Sequence, residues 1–193
     1  PPRSTLFPYT TLFRSELKNA LSGADASVAA RAAEHPEVQE MGTTLTLAYV
    51  VGRQLYVAHA GDTRCYLFRG GALQQITRDH TLVREMVDAG VIRPEEMGKS
   101  QFRHVVTNVI GGGKKGIKAE VHRVELEEGD VVLLSSDGLH DLVDDATIAD
   151  VLRVEPYPRR ACETLVGAAL EAGGKDNVTA VVARFDRPGA GRG

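Results

Sequence analysis

The region Thr43–Ile76 constrains the fold more than any other. Thr43–Val51 is beta-branched and apolar, Gly52-Arg53 follows, and Gln54–Ala60 (QLYVAHA) alternates. Thr63–Arg69 and Ala72–Ile76 then flank Gly70-Gly71. Alternation puts successive side chains on opposite faces of a sheet, and glycine supplies the backbone freedom of a tight turn. Two consecutive hairpins commit this region to antiparallel sheet. Lys118–Leu126 and Asp130–Ser136, separated by Glu127-Glu128-Gly129, read as two further strands, and Asn177–Phe185 as a last buried one.

Helical spacing flanks these strands. Leu17, Ala20, Leu21, Ala24, Val28 and Ala32 recur at helical intervals over Glu16–His35, and Pro36 marks the end. Thr81–Ala89 reads as a short helix stopped by Gly90. A helix from Asp144-Asp145 to Leu152 starts on acidic residues that suit its N-terminus. Arg159–Ala172 is amphipathic and ends at Gly173-Gly174. Between Val91 and Gly116 the pattern is irregular, with Pro94 and the triplet Gly111-Gly112-Gly113. Hairpins with flanking helices predict an α+β fold of mostly antiparallel sheets.

Composition narrows the function classes. With 193 residues, 42% hydrophobic and 25% charged, the chain has the make-up of one globular domain. A net charge of −3 gives no electrostatic reason to expect nucleic acid or an anionic membrane as partner. The 2 cysteines, Cys65 and Cys162, form no CxxC pair, which argues against a disulfide framework and a structural zinc site. A reducing, cytoplasmic compartment is expected. No apolar run approaches the roughly 20 residues that span a bilayer. Pro1–Ser15 stands apart. It nearly repeats Ser4-Thr5-Leu6-Phe7 as Thr10-Thr11-Leu12-Phe13, lacks acidic residues and shows no periodicity. It reads as a foreign segment or a disordered tail joined to a domain over 16–186, with a second tail at 187–193.

Three aspartates share a local grammar. Asp62 follows Ala60-Gly61 after a strand, Asp137 follows Ser135-Ser136 and precedes Gly138, and Asp176 precedes Asn177 ahead of the last strand. Strand ends hold ligands rigidly, and glycine allows close backbone approach. Converging carboxylates suit hard cations such as Mg²⁺, which takes oxygen ligands at about 2.0–2.1 Å. Two such ions about 3.5–4 Å apart can activate water and clamp a phosphoryl group. Asp-Gly is also a common turn pair, and spacing alone leaves open whether the three converge. The 6 histidines include no HxxxH pair. His59 reads as a packed sheet residue, His80 as one that orients a loop by hydrogen bonds, and Cys65 as core. No GxGxxG or GxSxG signature occurs.

Taken in order, these motifs resemble the bacterial PP2C-type (PPM) serine/threonine protein phosphatases. The resemblance runs from Glu16 to Phe185. It rests on Met41-Gly42-Thr43-Thr44, Val57–Leu67 (VAHAGDTRCYL), Thr77–Thr81 (TRDHT), Leu133–Leu139 (LLSSDGL) and Lys175–Thr179 (KDNVT). It implies an α-β-β-α sandwich and a binuclear Mn²⁺ or Mg²⁺ centre. A bridging water held by the metals, rather than a protein nucleophile, would attack phosphoserine or phosphothreonine. Asp137 and Asp176 match the family's metal-ligand aspartates, and Asp62 matches the one that supports a third ion. Gly61, Gly138 and Asn177 would support them. Residues 84–109 correspond to the family's variable flap. Phosphorylated proteins, substrates of a serine/threonine kinase, are the implied partners.

One departure stands out. The family begins with an arginine-bearing strand and an Asp-Gly-Met-Gly-Gly-type loop whose aspartate bridges both metals, and neither is found ahead of Glu16. The expectation is a domain without its first strands, with weak metal binding and little activity. The alternative is a pseudophosphatase, a module that binds phosphoproteins without hydrolysing them.

Overall fold

The structure, a computed structural model, describes residues 7–112 and 116–186. Gly113, the start of the N-terminal segment and the tail from Arg187 lie outside the described residues. The elements run α1 (Phe7–Glu34), β1 (Leu45–Val51), β2 (Gln54–Ala60), β3 (Arg64–Arg69), β4 (Ala72–Gln75) and α2 (Leu82–Asp88). Then come β5 (Glu120–Glu125), β6 (Asp130–Ser135), α3 (Asp137–His140), α4 (Asp145–Val154), α5 (Pro158–Glu171) and β7 (Ala180–Phe185). Short 3₁₀ turns occupy Pro36–Val38 and Pro94–Lys99. One sheet has the order β1-β2-β5 and the other β4-β3-β6-β7. No helix among the described residues is long and apolar enough to cross a membrane.

The chain divides into two compact units. The first takes the residues up to Leu47 together with Tyr56–Gly61 and Asp79–His122. Its core holds Leu21, Ala58, Ala60 and Val121, with Leu17, Leu45, Ile117 and Ala119 packed against them. Leu17 and Leu21 lie one helical turn apart on α1, so both reach this core.

Helix α1 begins earlier than its periodicity predicts, running unbroken through Phe7–Ser15. Tyr9, Thr10, Thr11 and Phe13 are poor helix formers, and apolar residues in this stretch follow no single face. Tertiary contacts support the helix instead. The Phe13 ring lies 5.7 Å from that of Tyr56, and Arg14 Nη2 donates to the Val121 carbonyl at 3.1 Å.

The second unit takes Ala48–Leu55, Asp62–Arg78 and the chain from Arg123 on. Antiparallel pairing sets Tyr66 opposite Leu133, and Leu133 opposite Val182. Phe68 and Val131 sit two residues along the same strands, so they line the same face. That face packs on Leu139, Val143, Ile148, Leu152 and Leu165 from α3, α4, α5 and their connections. Helix α4 is capped by Asp144, whose Oδ1 accepts from Thr147 N at 2.7 Å. That bond holds the Asp144 carboxyl below its ordinary pKa.

At the far end of β3, Arg69 grips the start of β6. Its Nε donates to Asp130 Oδ1 at 2.8 Å and its Nη2 to Oδ2 at 2.6 Å. Nη1 reaches Glu127 Oε1 at 2.8 Å, and Nη2 also donates to the Glu125 carbonyl at 2.7 Å. Asp130 is buried at 1% exposure. Burial alone would push its pKa up. The hydrogen bonds from Arg69 and from the Glu127 amide outweigh burial and hold it below the ordinary carboxylate value.

Candidate functional site

Sheet register brings the three aspartate loops to one edge. Arg64, the first residue of β3, pairs with Ser135, the last of β6, and Ser135 pairs with Ala180, the first of β7. Asp62 therefore enters this edge two residues before β3, Asp137 leaves it two residues after β6, and Asp176 approaches it four residues before β7. Antiparallel strands alternate direction, so a strand start, a strand end and another start share one end of the sheet. The spacing in sequence does not reveal this; the register does.

Two of the loops touch. Gly138 lies so close to the Asp176 loop that a Cβ there would stand 2.3 Å from the Asn177 carbonyl oxygen. Ser136 fastens the pair. Its Oγ donates to the Asn177 carbonyl at 3.2 Å and accepts from Thr179 N at 3.0 Å. Its own amide donates to the Thr179 carbonyl at 3.0 Å. The same bonds explain why β7 starts at Ala180 and not at Asn177, where the sequence reading places the strand's start: residues 177–179 are spent on the loop contact. Asp137 opens α3, a short helix that its sequence does not announce.

Two of the carboxylates are oriented by their own turns. Asp137 Oδ1 accepts from Gly138 N at 2.9 Å, and Asp176 Oδ1 accepts from Asn177 N at 2.7 Å. Asp62 and Asp137 are half-buried and Asp176 is exposed. The donor set is all oxygen, which fits a hard cation in kind. Among the described residues no three His, Cys, Asp or Glu side chains stand close enough to hold an ion together. Carboxylates spread along an edge suit ions that use one or two carboxylates and keep waters, as Mg²⁺ does. They do not form a dry protein cage.

The residue ahead of Asp62 is built into its own network. Gly61 has φ +116°, and a Cβ there would lie 2.3 Å from Thr44 Cγ2. Its amide donates to His80 Nδ1 at 3.1 Å, and its carbonyl accepts from His80 N at 2.8 Å. His80 thus orients a loop, as its sequence context suggests. His59 is fully buried with Nδ1 2.9 Å from Thr46 Oγ1, in keeping with a packed sheet residue. Cys65 is a core residue whose thiol burial pushes up to about 12.

Sequence reasoning passed over three residues of this region: Ser136, Asn108 and Glu120. Asn108 pairs with the backbone of Lys118, its Oδ1 accepting from Lys118 N at 3.0 Å and its Nδ2 donating to Lys118 O at 2.9 Å. Glu120 lies 3.2 Å from both His80 Nε2 and His122 Nε2. Burial raises the Glu120 pKa, but the two histidine hydrogen bonds draw it below its ordinary value. Only Ser136, directly ahead of Asp137, carried a sequence signal, as a small polar residue at a strand end.

The chain belongs to the protein phosphatase 2C family, whose α+β fold it shares. The family's model matches residues 5–86. A serine/threonine protein phosphatase of Mycobacterium tuberculosis, PstP, is 38% identical over 169 residues, which is 88% of this chain and 32% of PstP. The Streptococcus pneumoniae protein phosphatase PhpP is 37% identical over 150 residues, 78% of this chain and 61% of PhpP. The crystal structure of the PstP catalytic domain in complex with 2 manganese ions superposes with a TM-score of 0.78 at 36% identity. That match covers 95% of this chain and 73% of the other. The chain therefore spans less than two thirds of the length of either curated relative.

Proposed function

We propose that this chain is the catalytic region, or most of it, of a metal-dependent protein serine/threonine phosphatase acting on phosphoproteins in the cytoplasm. The observation that carries the reading is the β3-β6-β7 register, which delivers Asp62, Asp137 and Asp176 to one sheet edge in a chain of this family. Asp137 and Asp176 would hold Mn²⁺ or Mg²⁺, and Asp62 with Asp137 a third ion. Manganese in the related PstP catalytic domain supports that choice. Such ions, when bound, activate water and neutralise charge on the phosphoryl oxygens. The chain's own part is to orient. The Gly138 and Asn177 amides orient the two carboxylates, and Ser136 keeps their loops in register. The substrates would be targets of a serine/threonine kinase.

A second reading, a phosphoprotein-binding module without turnover, is favoured by one observation: no three ligand side chains cluster among the described residues. Hydrolysis of p-nitrophenyl phosphate and a phosphothreonine peptide separates the two readings. It should be followed with and without Mn²⁺, in this chain and in one carrying the family's Asp-Gly loop ahead of Glu16. The phosphatase reading expects Mn²⁺-dependent turnover in the extended chain, low turnover in this one, and at least a ~100-fold loss on Asp137→Asn. Peptide binding without turnover in both chains would give the second reading the lead.

A further inference from the structure

We propose that His80 is a positioning residue that sets the backbone leading into Asp62, and through it the affinity for a divalent cation at the aspartate edge. This rests on the metal reading given above. His80 grips both polar groups of Gly61, its ring Nδ1 accepting the Gly61 N–H and its own backbone N–H donating to the Gly61 carbonyl. With N–H and C=O both fixed, and φ at +116°, the peptide entering Asp62 has little freedom to rotate.

The imidazole is itself held on several sides. Nδ1 also accepts from Asn108 Nδ2 at 2.9 Å, so it carries the ring's lone pair. Nε2 is then the ring N–H, and it donates to Glu120 Oε1 at 3.2 Å. The ring packs on His59 with centroids 4.8 Å apart, and the His80 carbonyl accepts from Thr107 N at 2.8 Å. One side chain thus ties the Gly61 turn to Asn108, at the base of the 84–109 excursion, and to β5. Oriented histidines of this kind ordinarily serve a metal as ligands whose second nitrogen is fixed by a carboxylate. Here the same carboxylate–histidine pair ends on a backbone amide next to a candidate ligand.

The test contrasts two polar replacements. His80→Asn keeps an acceptor near the Nδ1 position, whereas His80→Gln places its amide near Nε2 and leaves Gly61 N–H without its partner. Two readouts are needed: the exchange rate of the Gly61 amide by NMR, and Mn²⁺ affinity by calorimetry on the full chain. The expected result is slow Gly61 exchange and near-native Mn²⁺ affinity in His80→Asn. His80→Gln should show fast exchange and about ten-fold weaker Mn²⁺ binding. Equal Mn²⁺ affinity in the two variants and the native chain would overturn the positioning role. So would losses that track the melting temperature in both variants alike, since that is what a purely structural histidine gives. A native chain that takes up no Mn²⁺ while Gly61 exchange still separates the variants would overturn the metal reading and this inference with it.

Discussion

Arg69→Met is expected to lower the unfolding free energy by about 3 kcal/mol at neutral pH, the lower end of what removing one partner of a buried ion pair costs. The lower end applies because the Arg69 side chain is 34% exposed and water screens part of the pair. Its partner is not screened: Asp130 is 1% exposed and would keep its charge with no ion-pair partner in contact, only the Glu127 amide and the more distant charge of Arg53. The pH dependence follows from the depressed pKa of Asp130. A carboxyl whose pKa is lower folded than unfolded contributes stability above its unfolded value, near 3.9, and loses it as pH falls through the folded one. In Arg69→Met the burial that raises the pKa is no longer outweighed, and protonation relieves the buried charge. The gap between variant and native chain should therefore be widest near neutrality and narrow below about pH 4. Urea unfolding at both pH values measures it. Adding Asp130→Asn to Arg69→Met should recover part of the loss at neutral pH, and a gap independent of pH would count against the account.

Gly138→Ala should disturb the aspartate edge through the backbone, without removing a carboxylate. No rotamer can relieve the clash, because a Cβ 2.3 Å from the Asn177 oxygen and 3.0 Å from its carbonyl carbon meets backbone. The Asp176 loop must move away, and the Ser136 bonds to Asn177 and Thr179 stretch or break with it. Overpacking of this kind costs about 1–3 kcal/mol. The functional loss should be larger in proportion. A displacement of about 1 Å between groups that must act together can cost on the order of 100-fold in rate. Mn²⁺ titration of phosphate-ester hydrolysis in the chain extended by the Asp-Gly loop, run beside thermal unfolding, separates the two effects. Native metal dependence in a Gly138→Ala chain would mean that the contact does not set the spacing of the two carboxylates.

How far the sequence disclosed this molecule depends on the range of each signal. The hairpins of β1–β4 were legible because period-two alternation and glycine turns are local. Helix α4 was legible from the acidic residues at its start, and α5 from its apolar stripe and the glycines that stop it. The start of α1 was not, because Phe13 and Arg14 gain their support from Tyr56 and Val121, far along the chain. Helix α3 was hidden by its four-residue length, too short for a period to register. At the site, each aspartate could be singled out by its turn, whereas their common edge depends on pairings such as Arg64 with Ser135 and Ser135 with Ala180. Those are long-range facts that no window of sequence contains. The Arg69–Asp130 grip escaped for the same reason, its partners being 61 residues apart.

The two thiols divide the labour of reporting on this fold. Cys65 sits on β3 with no exposed surface, and its proton is held to about pH 12, so almost none of it is thiolate at neutral pH. Cys162, on α5, is partly open to solvent. An alkylating reagent therefore meets one accessible sulfur in the folded chain, while the other stays sealed between hydrogen-bonded strands until the sheet comes apart. The pace at which Cys65 is modified becomes a built-in clock for opening of the β4-β3-β6-β7 sheet, readable by mass without any added probe.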